Sequence, residues 1–120
     1  MTARIVAPDP AAERHWPRLL ATLLRDYAGA LTEGRVRHLA QLRTVGGVLG
    51  ERAAICLRHA PRHAHLLDPL RQLGAALQLR AEMPEEAAIA ELARTLADTA
   101  DELDPPNGPA PLDPAPARAA

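Results

Sequence analysis

The chain has 120 residues, of which 48% are hydrophobic, and its 14 arginines and 15 acids leave a net charge of −1. That length leaves room for one core and no second domain, and no run of 18 apolar residues is present to span a membrane. The single cysteine, Cys56, excludes an intramolecular disulfide, and with no charged-then-apolar leader the expected compartment is the cytoplasm.

Aromatic bulk is limited to Trp16 and Tyr27, with no Phe, so the core must be built from Leu and Ala. Both are strong helix formers, whereas the β-branched and aromatic residues that favour strands are scarce, and the expected fold class is all-α. Every basic residue is Arg, which together with abundant Ala and Pro is the bias of a GC-rich genome and carries no functional weight. Charge is unevenly placed. Residues 1 to 80 hold twelve arginines against six acids, and residues 81 to 120 hold two against nine. Such a chain is an electrostatic dipole, which a basic and an acidic helix packed side by side would satisfy, or a basic part that binds an acidic partner.

Asp9-Pro10 can cap and open a first helix, because Asp accepts from free first-turn N–H groups and Pro is tolerated at the first position. Pro17 restarts or kinks it. Leu19, Leu20, Leu23, Leu24, Tyr27 and Leu31 then recur at spacings of three and four until Thr32-Glu33-Gly34 interrupts. A second helix is expected from about Glu33 to His59, with Leu39, Leu42, Val45, Gly46, Leu49, Ala53 and Cys56 on one face. Gly46-Gly47 costs about 2 kcal/mol relative to two alanines, which predicts either local weakness or a close approach to a neighbouring helix. Pro61 ends the segment.

Asp68-Pro69 repeats the start signal, and Leu70, Leu73, Gly74 and Leu77 form a short stripe ending near Ala81. Pro84 begins the last helix, with Glu85 and Glu86 in its first turn, where the helix dipole favours acids. Ile89, Leu92, Leu96 and Leu103, with Ala93, Ala97 and Ala100, make the cleanest stripe in the chain. Six prolines between 105 and 120 predict an unpacked tail. The expected architecture is a small antiparallel three- or four-helix bundle over residues 9–104, preceded by a flexible N-terminus, 1–8, and followed by a disordered Pro/Ala-rich tail, 105–120. With few large side chains such a core is marginal on its own, so self-association or a partner is expected to cover residual apolar surface.

Three chemistries are considered. Cys56, His59, His63, His65 and Asp68 cluster within thirteen residues around Pro61. Thiolate and imidazole suit zinc or a softer metal, but the spacing matches no standard zinc motif and Cys56 falls on the core face, so no metal and no cofactor are expected. Arg35, Arg37, Arg43, Arg52, Arg58 and Arg62 offer cations for phosphate. At 100° per residue they scatter around the helix with no aromatic among them, which argues against nucleic acid. The third chemistry lies in Ala40-Gln41-Leu42-Arg43-Thr44-Val45-Gly46-Gly47-Val48-Leu49-Gly50, which resembles the signature of histidine-phosphotransfer domains. Leu42, Arg43 in place of Lys, Leu49 and Gly50 match it. The phosphoacceptor position is held by Ala40, and the usual Gly beside it by Thr44. This resemblance implies a four-helix bundle and a degenerate module that binds a signalling partner without transferring phosphate.

No Ser is present, the acids lie mostly on the last helix's exposed face, and no Gly-rich loop follows a strand, so no enzyme is expected. By elimination the expectation is a non-catalytic interaction or regulatory module binding a protein partner or itself, not a membrane, through Leu39, Leu42, Leu49, Ile89, Leu92, Leu96 and Leu103.

Overall fold

A computed structural model describes residues 10–106, with the side chain of Pro10 excepted. The capping role expected of Asp9, the N-terminus at 1–8 and the tail from 107 lie outside the described residues. Among the described residues four helices follow one another: α1 (Pro10–Thr32), α2 (Leu39–His59), α3 (Ala64–Gln78) and α4 (Glu86–Leu103). A 3-10 turn, Pro61–His63, links α2 to α3. No strand occurs among the described residues, and no helix there is long and apolar enough to cross a membrane.

Three helix starts differ from the sequence expectation: α4 opens at Glu86, with Glu85 as its N-cap, rather than at Pro84, and the other two differ for local reasons. Helix α2 begins at Leu39 rather than near Glu33, because α1 ends in a tight cap. The N–H of Arg35 donates to Ala30 O (2.8 Å) and that of Gly34 to Leu31 O (3.3 Å), with Gly34 at φ +74. Only glycine takes that left-handed conformation cheaply, so the chain cannot re-enter a helix until it has turned. His38, extended at φ −121, then supplies the new N-cap, and Gln41 Oε1 accepts from the backbone N–H of both Arg37 (2.7 Å) and His38 (2.9 Å).

Helix α3 begins at Ala64, not at Asp68-Pro69. The Pro61 turn already presets the backbone, and Pro69 sits inside the helix with its ring exposed. Its missing donor therefore forgoes one ladder bond on the wet side, where water can serve the freed carbonyl. Pro17, which is buried, also lies within a continuous α1. Helix α2 runs unbroken through Gly46-Gly47.

Leu20, Ala21, Leu24, Ala28 and Leu31 of α1 are buried, as are Leu42, Val45, Leu49, Ala53 and Cys56 of α2, Leu67, Leu70 and Leu77 of α3, and Leu92, Ala93, Leu96, Ala100 and Leu103 of α4. Together they form one continuous cluster. The closest packing is α2 on α3 and α1 on α4, and a narrower α1–α2 seam joins the two pairs. The α2–α3 crossing is close because Gly46 and Gly74 meet there. A Cβ added at either would lie 2.6 Å from the other's carbonyl oxygen. On α4, acids crowd the C-terminal end, where the helix dipole disfavours them. Arg25 of α1 offsets this: its guanidinium donates to Asp104 O (2.6 Å) and Asp101 Oδ1 (3.2 Å) and lies 3.6 Å from Asp104 Oδ2. The basic part and the acidic helix are thus packed side by side.

Candidate interaction face on helix α1

Helix α1 carries apolar residues over more than one side. Leu19 and Leu24 are five residues apart, which turns them roughly 140° from each other around the axis. Leu24 lies in the core at 0% exposure while Leu19 is 48% exposed. Between them, Trp16, Leu23 and Tyr27 are half-buried against the edge of the core, facing α2. The result is a cleft of about 250 Å³ lined by Trp16, Leu19, Leu20, Thr22, Leu23, Asp26 and Arg52, apolar at its floor with one acid and one base at the rim.

Trp16 closes one end of this cleft. Its indole stacks on the His59 ring of α2, with centroids 5.3 Å apart and planes 14° from parallel, and His15 meets it edge-on at 5.6 Å. Outside the cleft, one turn beyond Leu23 on α1, burial raises the Tyr27 phenol pKa and the nearby Arg52 cation partly lowers it. Among the described residues neither Asp26 nor Arg52 has an ion-pair partner. Among the described residues the other exposed large apolar side chain is Leu79, 83% exposed, just past the end of α3.

The residues singled out from sequence are placed differently. Leu42, Leu49, Leu92, Leu96 and Leu103 are buried in the molecule's own core, where a partner cannot reach them unless helices separate, and Leu39 and Ile89 are half-buried at its edges. Cys56 is fully buried, and burial pushes its thiol up to about 11. His59 is turned to Trp16, and His65 is exposed. His63 is half-buried, and its pKa is lowered by that burial first and then by Arg62 and His65, with Glu13 opposing. No group of three or more His, Cys, Asp or Glu side chains among the described residues is positioned to share a metal ion.

The arginines are mostly engaged as well. Arg35 pairs with Glu33 (2.9 Å), Arg62 lies 3.8 Å from Glu13, Arg37 Nε donates to Gly34 O (2.8 Å), and Arg43 donates twice to Arg80 O (2.6 and 3.0 Å). Arg52 is at the α1–α2 cleft, and Arg58 is exposed. In the stretch resembling the phosphotransfer signature, Ala40 is exposed, and the Thr44 hydroxyl donates back to its carbonyl (3.0 Å). His38 sits outside the helix as its cap.

Sequence reasoning missed the cleft because it assigned Leu19, Leu23 and Tyr27 to the same stripe as Leu20, Leu24 and Leu31. The signal was there: a stripe that holds both Leu19 and Leu24 is wider than one core face requires. Comparison with protein-family models, with curated proteins and with solved structures returns no match for this chain.

Proposed function

We propose that this chain is a non-catalytic helical interaction module whose working surface is the α1 face around Leu19, and that it acts in the cytoplasm, where the Cys56 thiol stays reduced. The observation that carries the reading is Leu19 itself: a leucine 48% exposed, standing between Trp16 and Leu23 over an apolar cleft. Tryptophan and arginine dominate binding energies at interfaces because they combine large apolar area with a polar handle. Here Trp16 and Arg52 frame the cleft. An apposed helix would lay an apolar stripe on Leu19 and Leu23 and offer an acid to Arg52 and a base to Asp26.

The test is site-specific photo-cross-linking in cells, with a benzoylphenylalanine probe placed at position 19 and, as a control, at position 79. A discrete adduct of one mass from position 19, absent from position 79 and lost on Arg52→Glu, supports the reading. No adduct from position 19, or the same pattern from both positions, overturns it.

A further inference from the structure

Three of the cleft's lining residues, Leu19, Thr22 and Asp26, belong to an outer line of α1 that continues past the cleft: Ala12, His15, Leu19, Thr22, Asp26 and Gly29, at alternating spacings of three and four. That spacing keeps side chains on a single seam along a helix, as in a helix pair that packs along its length. His15, Leu19, Thr22 and Asp26 are exposed, and Ala12 and Gly29 are half-buried. Along its 23 residues the helix is roughly 35 Å long, so the seam is long enough to engage another helix over several turns.

The order of these six residues is a palindrome of chemistry. Laid antiparallel on a second copy of itself about an axis between positions 20 and 21, the seam sets Ala12 against Gly29, His15 against Asp26, and Leu19 against Thr22. Small meets small at both ends, which lets the helices close up. A basic ring meets a carboxylate that has no ion-pair partner among the described residues of its own chain. The Thr22 hydroxyl is already spent on the Arg18 carbonyl (3.1 Å), so what Thr22 offers to Leu19 is its methyl group. In the opposite, parallel arrangement the seam sets Asp26 against Asp26, which is repulsive.

We infer that the partner of this face is a second copy of the same chain, in a two-fold dimer whose axis crosses α1 between residues 20 and 21. This rests on the interaction reading above and names its occupant. An isologous interface repeats each contact twice, so one charge-matched pair in the chain counts as two in the dimer. All six residues lie outside the buried core, so they can be altered without opening it.

The experiment is sedimentation equilibrium of the full chain from low to high micromolar concentration, for the wild type and for Leu19→Asp, Leu79→Asp, Asp26→Arg, His15→Asp and the His15→Asp/Asp26→Arg double variant, each checked for an unchanged helical circular dichroism spectrum. The expected result is a reversible wild-type dimer, retained in Leu79→Asp and lost in Leu19→Asp. Each single charge variant should weaken it on the order of tenfold, since His15→Asp sets two carboxylates against Asp26 and Asp26→Arg removes the carboxylate that accepts from His15, each twice over the two-fold, and the double variant should restore it with an Asp–Arg pair. A wild type that stays monomeric throughout overturns the dimer. So does a dimer indifferent to Leu19→Asp, or one in which the double variant fails to recover. A cross-linked adduct from position 19 whose mass is not that of two chains overturns the dimer while leaving the interaction reading standing, and no adduct at all removes both.

Discussion

Cys56 and His63 are near neighbours in the sequence and both carry metal-binding side chains, but the fold gives each a different physical character. Burial pushes the Cys56 thiol from 9.0 to about 11. The unfolded chain therefore loses this proton near pH 9 while the folded chain keeps it to about pH 11, so unfolding releases a proton in that window and stability falls as pH rises through it. Tyr27 acts in the same direction, because burial raises its phenol by more than Arg52 lowers it. Cys56→Ala should lower stability at pH 7 by about 1 kcal/mol through the small cavity it leaves, yet flatten the decline between pH 9 and 11. Urea unfolding across that range reads both effects, and an undiminished alkaline decline in the variant would refute the assignment. His63 works with the opposite sign. Its folded pKa lies below 6.5, so the folded chain holds the ring neutral while the unfolded chain takes up a proton below that pH. The stability it contributes is present above pH 6.5 and is lost as the solution is acidified below it. His63→Gln should make the protein less sensitive to acid just under pH 6.5, as seen in melting temperatures measured from pH 7 to 5. Equal losses in both proteins would show that another group governs the acid side.

The glycines of α2 show how an element's surroundings decide what a residue is for. At Gly74 of α3, an added Cβ would meet the Gly46 carbonyl oxygen at 2.6 Å and the Gly50 nitrogen at 2.7 Å, both backbone atoms that yield only if the helices move apart. At Gly47 it would meet only the end of the Gln78 side chain, at 3.0 Å. Gly74→Ala should therefore destabilise the fold by about 2 to 4 kcal/mol. Gly47→Ala should leave stability unchanged or raise it by up to about 1 kcal/mol, since alanine is the better helix former and a glutamine tip can swing away. Thermal melts of the two variants decide this, and comparable losses in both would mean the crossing is not limited by backbone contact. The sequence offered close approach as one of two readings of Gly46-Gly47, but periodicity cannot say which glycine faces a neighbour's backbone. The stripes of α2 and α4 were legible for the reason that they are amphipathic on one side only: Leu42, Leu49, Leu92, Leu96 and Leu103 are all buried where the 3.6-residue period put them. The starts of α2 and α3 were not, because a left-handed cap at Gly34 and a 3-10 turn at Pro61 outweigh the local signals at Glu33 and Asp68-Pro69. The α1 cleft was legible only in part: the stripe's width from Leu19 to Leu24 is in the sequence, but which side of it stays open is not. A leucine's sequence neighbours do not reveal that one side of a broad stripe is taken by α4 and α2 while the other is left open.

At the scale of the whole molecule, the α1–α4 and α2–α3 pairs are joined across a narrower seam, yet the buried cluster runs through all four helices without a gap. Whether the chain unfolds as one body or as two halves depends on that seam, and Trp16 sits on it. Its indole is carried by α1 and stacked on His59 of α2, so separating the two pairs changes its surroundings even when every helix survives. Circular dichroism at helical wavelengths, by contrast, reports the helices and is blind to the seam. If the continuous core dominates, Trp16 fluorescence and helical dichroism should fall together in a single urea transition, as expected of a cooperative domain of this size. Leu96→Ala, which empties a fully buried site on α4, should then move both signals to lower urea together, by about 2 to 5 kcal/mol of stability, although Leu96 and Trp16 lie on different helices. If the seam is the weak link, fluorescence should change first and Leu96→Ala should leave a helical remnant built on α2 and α3. Trp16 also borders the face assigned to the second copy, which gives the wild type a further signature. Its fluorescence midpoint should rise with protein concentration, since a dimer stabilises the folded state by mass action, whereas the Leu19→Asp midpoint should not.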